Sequence, residues 1–197
     1  MSNHFHLVAR SAQPGGISRF LQGLAGQYAQ QLHARLSRRG RFWQDRFYSC
    51  VLDRSHLATA LRYVELNPVR ARLVAKAEDY PWSSAAFHSG ADGAPEWLDS
   101  TTFGDMYSPA EWRSRLAEGQ SREERAAIRR ATQWETALGD GDFLERLEAE
   151  YQVKLQAGPV GRPPKKPQGK QSFPEESMVV GGQGARGLGL GVLPGIA

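Results

Sequence analysis

The most regular spacing of apolar residues lies in residues 57–74, LATALRYVELNPVRARLV. The apolar positions at three- and four-residue steps are Leu57, Leu61 and Val64, and this period predicts a helix with one apolar face. Tyr63 and Asn67 are four residues apart and therefore share another face of that helix. Pro68 lacks an amide hydrogen and its ring clashes with the preceding turn, so the helix is expected to end there. A phenol and a carboxamide are thus predicted to project together from its last turn.

Two shorter upstream segments, residues 3–10 and 41–52, are rich in aromatic and β-branched residues and predict strands. In the first strand His4 and His6 are two residues apart, so both imidazoles point to the same side. Between the strands, apolar residues at helical spacing predict an amphipathic helix that ends near Gly40. Its apolar positions are Phe20, Leu21, Leu24, Tyr28, Leu32 and Leu36. The order strand, helix, strand, helix predicts an α+β fold with helices on one face of a sheet.

The composition changes twice after this first segment. Residues 91–157 contain long helical patterns with charges of both signs, which predict a helical C-terminal extension. Beyond residue 158 the chain is rich in Gly, Pro and Lys and has little to bury, which predicts a disordered basic tail. We therefore expect a domain at residues 1–90, the extension at residues 91–157 and the tail at residues 158–197.

The net charge of +4 conceals an uneven distribution. Residues 1–74 contain 11 arginines and only three acidic residues, whereas residues 75–161 contain 9 basic and 16 acidic residues. Arginine binds phosphate and stacks on bases, so the first segment predicts a polyanionic partner. The single cysteine, Cys50, fits a reducing compartment, and no apolar run approaches the length that spans a bilayer. We expect a cytoplasmic protein that does not contact membranes.

The two histidines and the carboxamide have the chemistry of a metal site. His4 and His6 supply nitrogen donors and Asn67 supplies an amide oxygen. Three protein ligands leave positions open for phosphate oxygens, which suits Mg²⁺ or Mn²⁺. Tyr63, one helical turn before Asn67, is then the natural nucleophile and would form a covalent phosphotyrosine link. The alternative from the same pattern is a surface histidine pair and a tyrosine that packs in the core.

Four motifs occur in one order along the chain: NHFHLV, FWQDRFYS, LRYVELNPVRARLV and YPWSS. Together they closely resemble the REP-associated tyrosine transposases of bacteria, which belong to the single-tyrosine HUH transposase superfamily. The resemblance implies that Tyr63 is the nucleophile and that His4, His6 and Asn67 are the metal ligands. It implies a single-stranded DNA endonuclease and transposase of a mobile element, which cuts and rejoins DNA beside palindromic hairpins in the bacterial cytoplasm, associated with the nucleoid.

Members of this family carry an opening strand and helix, usually followed by another strand, before the His-hydrophobe-His strand. Met1 stands where those proteins have an internal methionine. The resemblance therefore implies an N-terminally truncated chain with a partial ferredoxin-like antiparallel sheet. The lost neighbours would leave a bare strand edge and an uncovered apolar face. We expect low stability or homo-association through that edge.

Five further residues are predicted to contact DNA: Arg41, Trp43, Arg46, Arg62 and Arg70. Trp43 either stacks on an unpaired base or packs in the core, while the arginines contact phosphate. Two other functions fit the same sequence features. One is a non-catalytic remnant that only binds single-stranded DNA, and the other is a metal-dependent hydrolase that uses water as the nucleophile. Replacement of Tyr63 by Phe distinguishes these functions from a tyrosine transposase.

Overall fold

A computed structural model describes residues 4–155 and, as a strand, residues 178–184. The helices are α1 (Gly16–Leu36), α2 (Leu57–Glu65), α3 (Asn67–Arg70), α4 (Ala85–His88), α5 (Ser100–Gly104), α6 (Pro109–Glu118), α7 (Arg122–Gln133) and α8 (Gly141–Tyr151), with a 3₁₀ turn at Ala77–Asp79. The strands are β1 (His4–Ala9), β2 (Tyr48–Leu52), β3 (Ala137–Leu138) and β4 (Met178–Gly184). This mixture of helices and strands confirms the predicted α+β class. No helix within these residues is long and apolar enough to cross a membrane.

The chain divides into two compact units. We call residues 58–126 the helical unit, and we call the described parts of residues 2–57 and 127–197 the sheet unit. The domain boundaries expected after residues 90 and 157 were drawn from motifs and composition and differ from this division into two units. They stay predictions.

The sheet unit contains a four-stranded sheet in the order β1-β4-β2-β3. Strand β4 is antiparallel to both β1 and β2, so that Gly182 lies opposite His6 on one side and opposite Tyr48 on the other. Strand β3 is parallel to β2, with Val51 opposite Ala137. The sheet is therefore mixed and differs from the wholly antiparallel sheet that the family resemblance implies. The long connection from β2 to β3 through the helical unit allows the parallel arrangement.

Strand β4 lies in the segment that composition predicts to be disordered. Residues 178–184 form a strand, so the prediction is wrong for them, while the remainder of residues 158–197 lies outside the described residues. An average over 40 residues hides the short run Met178-Val179-Val180, whose residue types favour strands. The glycines that follow have no side chain to obstruct a strand with neighbours on both sides. The strand that carries His4 and His6 is consequently paired with a segment from far along the chain.

Substitution of Val180 by Pro tests this pairing. Val180 lies opposite Val8 of β1 and Cys50 of β2, and proline removes the amide donor that a central strand needs. We expect amide hydrogen exchange in β1 to rise by about tenfold or more, measured by mass spectrometry. The matched control is Val180→Thr, which keeps the amide and the branched side chain and should leave the exchange rate nearly unchanged. Equal exchange rates in both variants would contradict the pairing.

The second strand is shorter than predicted, because β2 begins only at Tyr48. Trp43, in the preceding segment, packs against α1 and its indole nitrogen donates to the carbonyl oxygen of Ala25 at 2.9 Å. The backbone bends between these points, where Asp45 accepts a hydrogen bond from the amide of Arg46. Trp43, whose residue type favours a strand, here packs on α1 instead.

Helix α1 confirms the predicted amphipathic helix, but only part of its apolar face is buried. Leu21 and Ala25 are buried, whereas Phe20, Leu24 and Tyr28 are exposed, Phe20 to 57%. These three exposed residues are four positions apart and form one apolar stripe. An uncovered apolar face is therefore present on the sheet unit.

Each unit has its own apolar core. In the sheet unit, Leu147 of α8 packs on Val51 of β2 together with Leu155. In the helical unit, the buried cluster joins the residue before α3 and the 3₁₀ turn to α4, α5 and α6. Its members are Leu66, Ala77, Ala85, Phe103, Trp112 and Leu116.

The turn that leads into α2 is capped by Asp53, which is buried. Its carboxylate accepts hydrogen bonds from the amide of His56 at 2.7 Å, from the hydroxyl of Ser55 at 2.9 Å and from the amide of Asp140 at 3.0 Å, and it pairs with the His56 ring. Burial alone would raise the pKa of Asp53, but the hydrogen bonds outweigh it and hold the pKa below 3.8. The charged form is thus favoured in the folded state.

We expect Asp53→Ala to lower the free energy of unfolding by about 1–3 kcal/mol at pH 7. Because the folded-state pKa is depressed, this contribution is complete above the unfolded-state value and disappears as the pH falls through the folded-state value. The difference between wild type and variant should therefore shrink below about pH 4, as measured by urea unfolding. The exposed Asp92→Ala is the control. A difference that is independent of pH would contradict the role of the charged carboxylate.

Candidate functional site

The predicted histidine pair lies on β1 as expected, with His4 and His6 two residues apart. Their ring centroids are 5.1 Å apart and the rings are nearly perpendicular. Burial lowers the pKa of His4 below 6.5, which favours the neutral imidazole that can donate a lone pair to a metal ion. At His4 the shift therefore favours the protonation state that a ligand needs.

The separation of the rings fits two ligands of one ion. Imidazoles bound at about 2.1 Å, at an angle of about 90–110° from each other, have ring centroids roughly 4.5–5.2 Å apart. The observed 5.1 Å lies in this range. Across the described part of the chain, no group of three or more His, Cys, Asp or Glu side chains could hold a metal. A third ligand would have to be of another type.

Tyr63 and Asn67 belong to the helical unit, and they retain the predicted spacing of one turn. Tyr63 lies in α2 and is 8% exposed, while Asn67 is the first residue of α3 and is half-buried. The helix was expected to end at Pro68, but the chain makes a further helical turn to Arg70. Proline is tolerated in the first turn of a helix, where its missing amide needs no partner. Helical hydrogen bonding thus resumes from the amide of Arg70 to the carbonyl of Leu66 at 3.0 Å.

Arg70 is fixed against Tyr63 by two contacts. Its guanidinium lies over the tyrosine ring, 4.7 Å from the ring centroid, and its Nη2 donates to the backbone carbonyl of Tyr63 at 2.6 Å. A cation over an aromatic face is attracted by the electron-rich ring. The positive charge beside the predicted nucleophile is therefore built into the fold of the helical unit.

Arg62, another predicted DNA contact, is held by protein groups. Its Nη2 donates to the carbonyl oxygen of Gly119, and its Nη1 lies 3.7 Å from a carboxylate oxygen of Glu124. These contacts join α2 to Gly119, just after α6, and to Glu124 in α7. Arg62 is therefore half-buried and connects elements within the helical unit.

The remaining predicted DNA contacts lie in the sheet unit, just before β2. Arg41 and Arg46 are exposed, and Arg46 donates to Glu135 at 2.6 Å. Trp43 is half-buried and lies edge-on to Phe42 and Phe5, with ring centroids 4.9 and 6.1 Å away. The sequence left open whether Trp43 stacks on a base or packs in the core, and its contacts with α1 and Phe5 favour packing.

Sequence reasoning missed Glu65, which lies between Tyr63 and Asn67. Its side chain is completely buried and accepts hydrogen bonds within the helical unit. The only available signal was an acidic residue between the apolar Val64 and Leu66 on a helix with a well-defined apolar face. Such a residue is more commonly solvated, so the signal was too weak to act on.

The four residues predicted for the chemistry fall in both units: His4 and His6 in the sheet unit, Tyr63 and Asn67 in the helical unit. Residues 1–67 match the model of a family described as "Transposase IS200 like", and the matched segment includes all four. No curated protein and no solved structure gives a significant match to the sequence.

Proposed function

We propose that this chain is a transposase that cuts and rejoins single-stranded DNA beside palindromic hairpins, a proposal supported by the match of residues 1–67 to the IS200-like transposase family model. The observation that carries the proposal is the arrangement at the end of α2. There the ring of Tyr63 lies under the guanidinium of Arg70 and one helical turn before Asn67. The preference for hairpins is supported by the resemblance of the four motifs to the REP-associated tyrosine transposases.

In the proposed reaction the phenolate oxygen of Tyr63 attacks the phosphorus of the scissile phosphodiester. A bond forms between the two atoms while the bond from phosphorus to the leaving sugar oxygen breaks. The phenol gives its proton to water, and the leaving oxygen takes up a proton from water. One end of the cut strand is then held as a phosphotyrosine ester and the other end is released as a hydroxyl. Because the ester is retained, attack by a hydroxyl on the phosphotyrosine rejoins the DNA without ATP.

Arg70 supports the attacking group in this reaction. Its guanidinium lies 4.7 Å from the centroid of the Tyr63 ring and places a positive charge beside the residue that attacks the phosphate. The hydrogen bond from Arg70 to the carbonyl of Tyr63 keeps this charge in place before DNA arrives. Arg70 is thereby proposed to act on the nucleophile more than on DNA.

A divalent cation, Mg²⁺ or Mn²⁺, held by His4, His6 and Asn67, would polarise the scissile phosphate. The separation of the two imidazole rings and the lowering of the pKa of His4 by burial fit this role. Both histidines come from one strand, so their relative position is set by the backbone and not by flexible loops. Arg41 and Arg46, which are exposed, are proposed to contact DNA phosphates.

The experiment that tests this function uses hairpin oligonucleotides with single-stranded flanks, labelled at either the 5′ or the 3′ end. With protein and Mn²⁺, we expect one label to migrate with the protein on a denaturing gel and the other label to appear on a shorter strand with a free hydroxyl. A fully double-stranded oligonucleotide of the same sequence should give neither product. The absence of a covalent product with every divalent ion tested would refute the proposed function.

We also propose that two copies associate through the sheet unit. β1 stands at the end of the strand order, and α1 carries the exposed stripe of Phe20, Leu24 and Tyr28. Edges and apolar patches of this kind favour association. Light scattering across a concentration series should give the mass of a dimer, which Leu24→Glu should reduce and the neighbouring Gln22→Glu should not. A monomeric mass at all concentrations would contradict association.

A further inference from the structure

The helical unit contains a buried polar cluster that the proposed chemistry does not use. Glu65, the last residue of α2, is 0% exposed. Its Oε1 accepts a hydrogen bond from the hydroxyl of Ser84 at 2.5 Å and lies 2.5 Å from Nδ1 of His88. Its Oε2 accepts a hydrogen bond from the indole nitrogen of Trp112 at 2.8 Å. We call these four residues the Glu65 cluster.

The cluster is enclosed by aromatic rings. The His88 ring stacks on Phe103 with a centroid separation of 3.9 Å, and the Trp112 ring meets Phe103 edge-on at 5.1 Å. Trp112 is completely buried and His88 is nearly so. In such surroundings the loss of even one hydrogen-bond partner of the Glu65 side chain costs stability, because water cannot replace the lost hydrogen bond. The cluster therefore has one well-defined arrangement.

The partners of Glu65 come from distant parts of the sequence. Ser84, His88 and Trp112 are 19, 23 and 47 residues further along the chain. Ser84 and His88 stand at the two ends of α4, and Trp112 lies in α6. One side chain thus ties the C-terminal end of α2 to two other helices of the unit.

Glu65 lies midway between Tyr63 and Asn67 in sequence. Two residues correspond to about 200° around a helix, so Glu65 projects away from the side that carries these two residues. A bond network on one side of a helix end fixes its rotation, and this rotation decides where the opposite side chains lie. A side-chain tip about 6 Å from the helix axis moves by roughly 1 Å when the helix turns by about 10°. A shift of this size at a reacting group can cost about 100-fold in rate.

We infer that Glu65 is a positioning residue, which through Ser84, His88 and Trp112 fixes the end of α2 so that Tyr63 is presented correctly for attack. This role rests on the proposed function for its kinetic consequence, but the placement of Tyr63 can be measured without it. Glu65 itself does not touch the substrate.

The test compares Glu65→Gln with the exposed Glu96→Gln as the matched control. Glutamine keeps the shape of the side chain but replaces one carboxylate oxygen with an NH₂ group. The Trp112 indole can only donate, so the NH₂ group must face Ser84 and His88, and Ser84, which donates to Glu65, would have to accept instead. At saturating hairpin DNA, we expect the single-turnover rate of adduct formation to fall by about 10- to 100-fold in Glu65→Gln. The Kd for the same DNA should change by less than about threefold. A merely structural role would instead lower the folded fraction and the amount of bound DNA together.

A second measurement follows Tyr63 directly. Protein made with 3-fluorotyrosine has six ¹⁹F resonances from its six tyrosines, and the Tyr63 resonance is identified by its loss in Tyr63→Phe. We expect this resonance to shift or broaden in Glu65→Gln, with the other resonances largely unchanged, and to stay unchanged in Glu96→Gln.

The outcomes separate this inference from the proposed function. If the rate of adduct formation and the Tyr63 resonance are both unchanged in Glu65→Gln, the positioning role is overturned. The proposed function still stands in that case, provided that the wild type forms the adduct. If the wild type forms no adduct, the proposed function fails, and the ¹⁹F spectrum alone decides the inference. A moved Tyr63 resonance would then support it, and an unmoved one would overturn it.

Discussion

Tyr63→Phe is expected to lower covalent adduct formation on hairpin DNA by about 10³-fold or more, because it removes only the attacking oxygen. The phenyl ring still lies under Arg70, so the free energy of unfolding should change by less than about 1 kcal/mol. The affinity for DNA should likewise be nearly unchanged. The measurement is the rate of adduct formation on a denaturing gel, beside a binding titration with the same oligonucleotide.

The matched control is Tyr107→Phe, which changes a tyrosine of the helical unit that packs beside Trp112. It should leave adduct formation intact. Two results would contradict the account in different ways. Strand cleavage that continues in Tyr63→Phe without an adduct would indicate a hydrolase that uses water, and DNA binding by a wild type that never cuts would indicate a binding protein without chemistry.

The second large effect is expected from the histidine pair. His4→Ala and His6→Ala should each lower the single-turnover rate by about 100-fold, because each removes a nitrogen donor from the proposed ion. Removal of divalent ions by a chelator should lower the wild-type rate by at least as much. The measurement combines this rate with a Mn²⁺ titration followed by electron paramagnetic resonance.

The control for the pair is His33→Ala, which changes a histidine of α1 that contacts Phe42. It should bind Mn²⁺ and react as the wild type does. If the double variant of His4 and His6 retains both Mn²⁺ binding and cleavage that depends on the metal, the assignment of the ligands is wrong.

The sequence predicted best the features that depend on neighbours a few residues away. The spacing of Tyr63 and Asn67 on helical backbone and of His4 and His6 on a strand are local properties, and the structure reproduces both. The turn beyond Pro68 was missed because proline is excluded from helix interiors but accepted in the first turn. Because the helix is interrupted at Leu66, Pro68 lies in the first turn of α3 and not in the interior of one long helix.

Features that depend on distant partners could not be predicted. β4 joins the sheet beside β1 although more than 160 residues separate Ala9 from Met178, and its composition resembles that of a disordered tail. Trp43 belongs by residue type to a strand, yet a hydrogen bond to Ala25 holds it on a helix. In both cases pairing and packing override the local preference of the residues.

The Glu65 cluster shows the same limit for the site. Hydrophobic periodicity treats an acidic residue in a helix as solvated, because burial of a carboxylate is costly without partners. The three partners of Glu65 lie up to 47 residues away, in helices whose positions the sequence does not reveal. The spacing of apolar residues in α1 likewise does not reveal which of them are buried, since Leu21 is buried whereas Phe20 and Leu24 are exposed.

The central claim is that Tyr63 forms the covalent bond to DNA, and mass spectrometry of the adduct tests it most directly. After nuclease treatment and digestion with trypsin, the nucleotide should remain on the peptide of residues 63–70, YVELNPVR, which contains a single tyrosine. Fragmentation should assign the added mass to that tyrosine. A nucleotide found on a peptide that carries Tyr28, Tyr48 or another residue, with the peptide of residues 63–70 unmodified, would contradict the account.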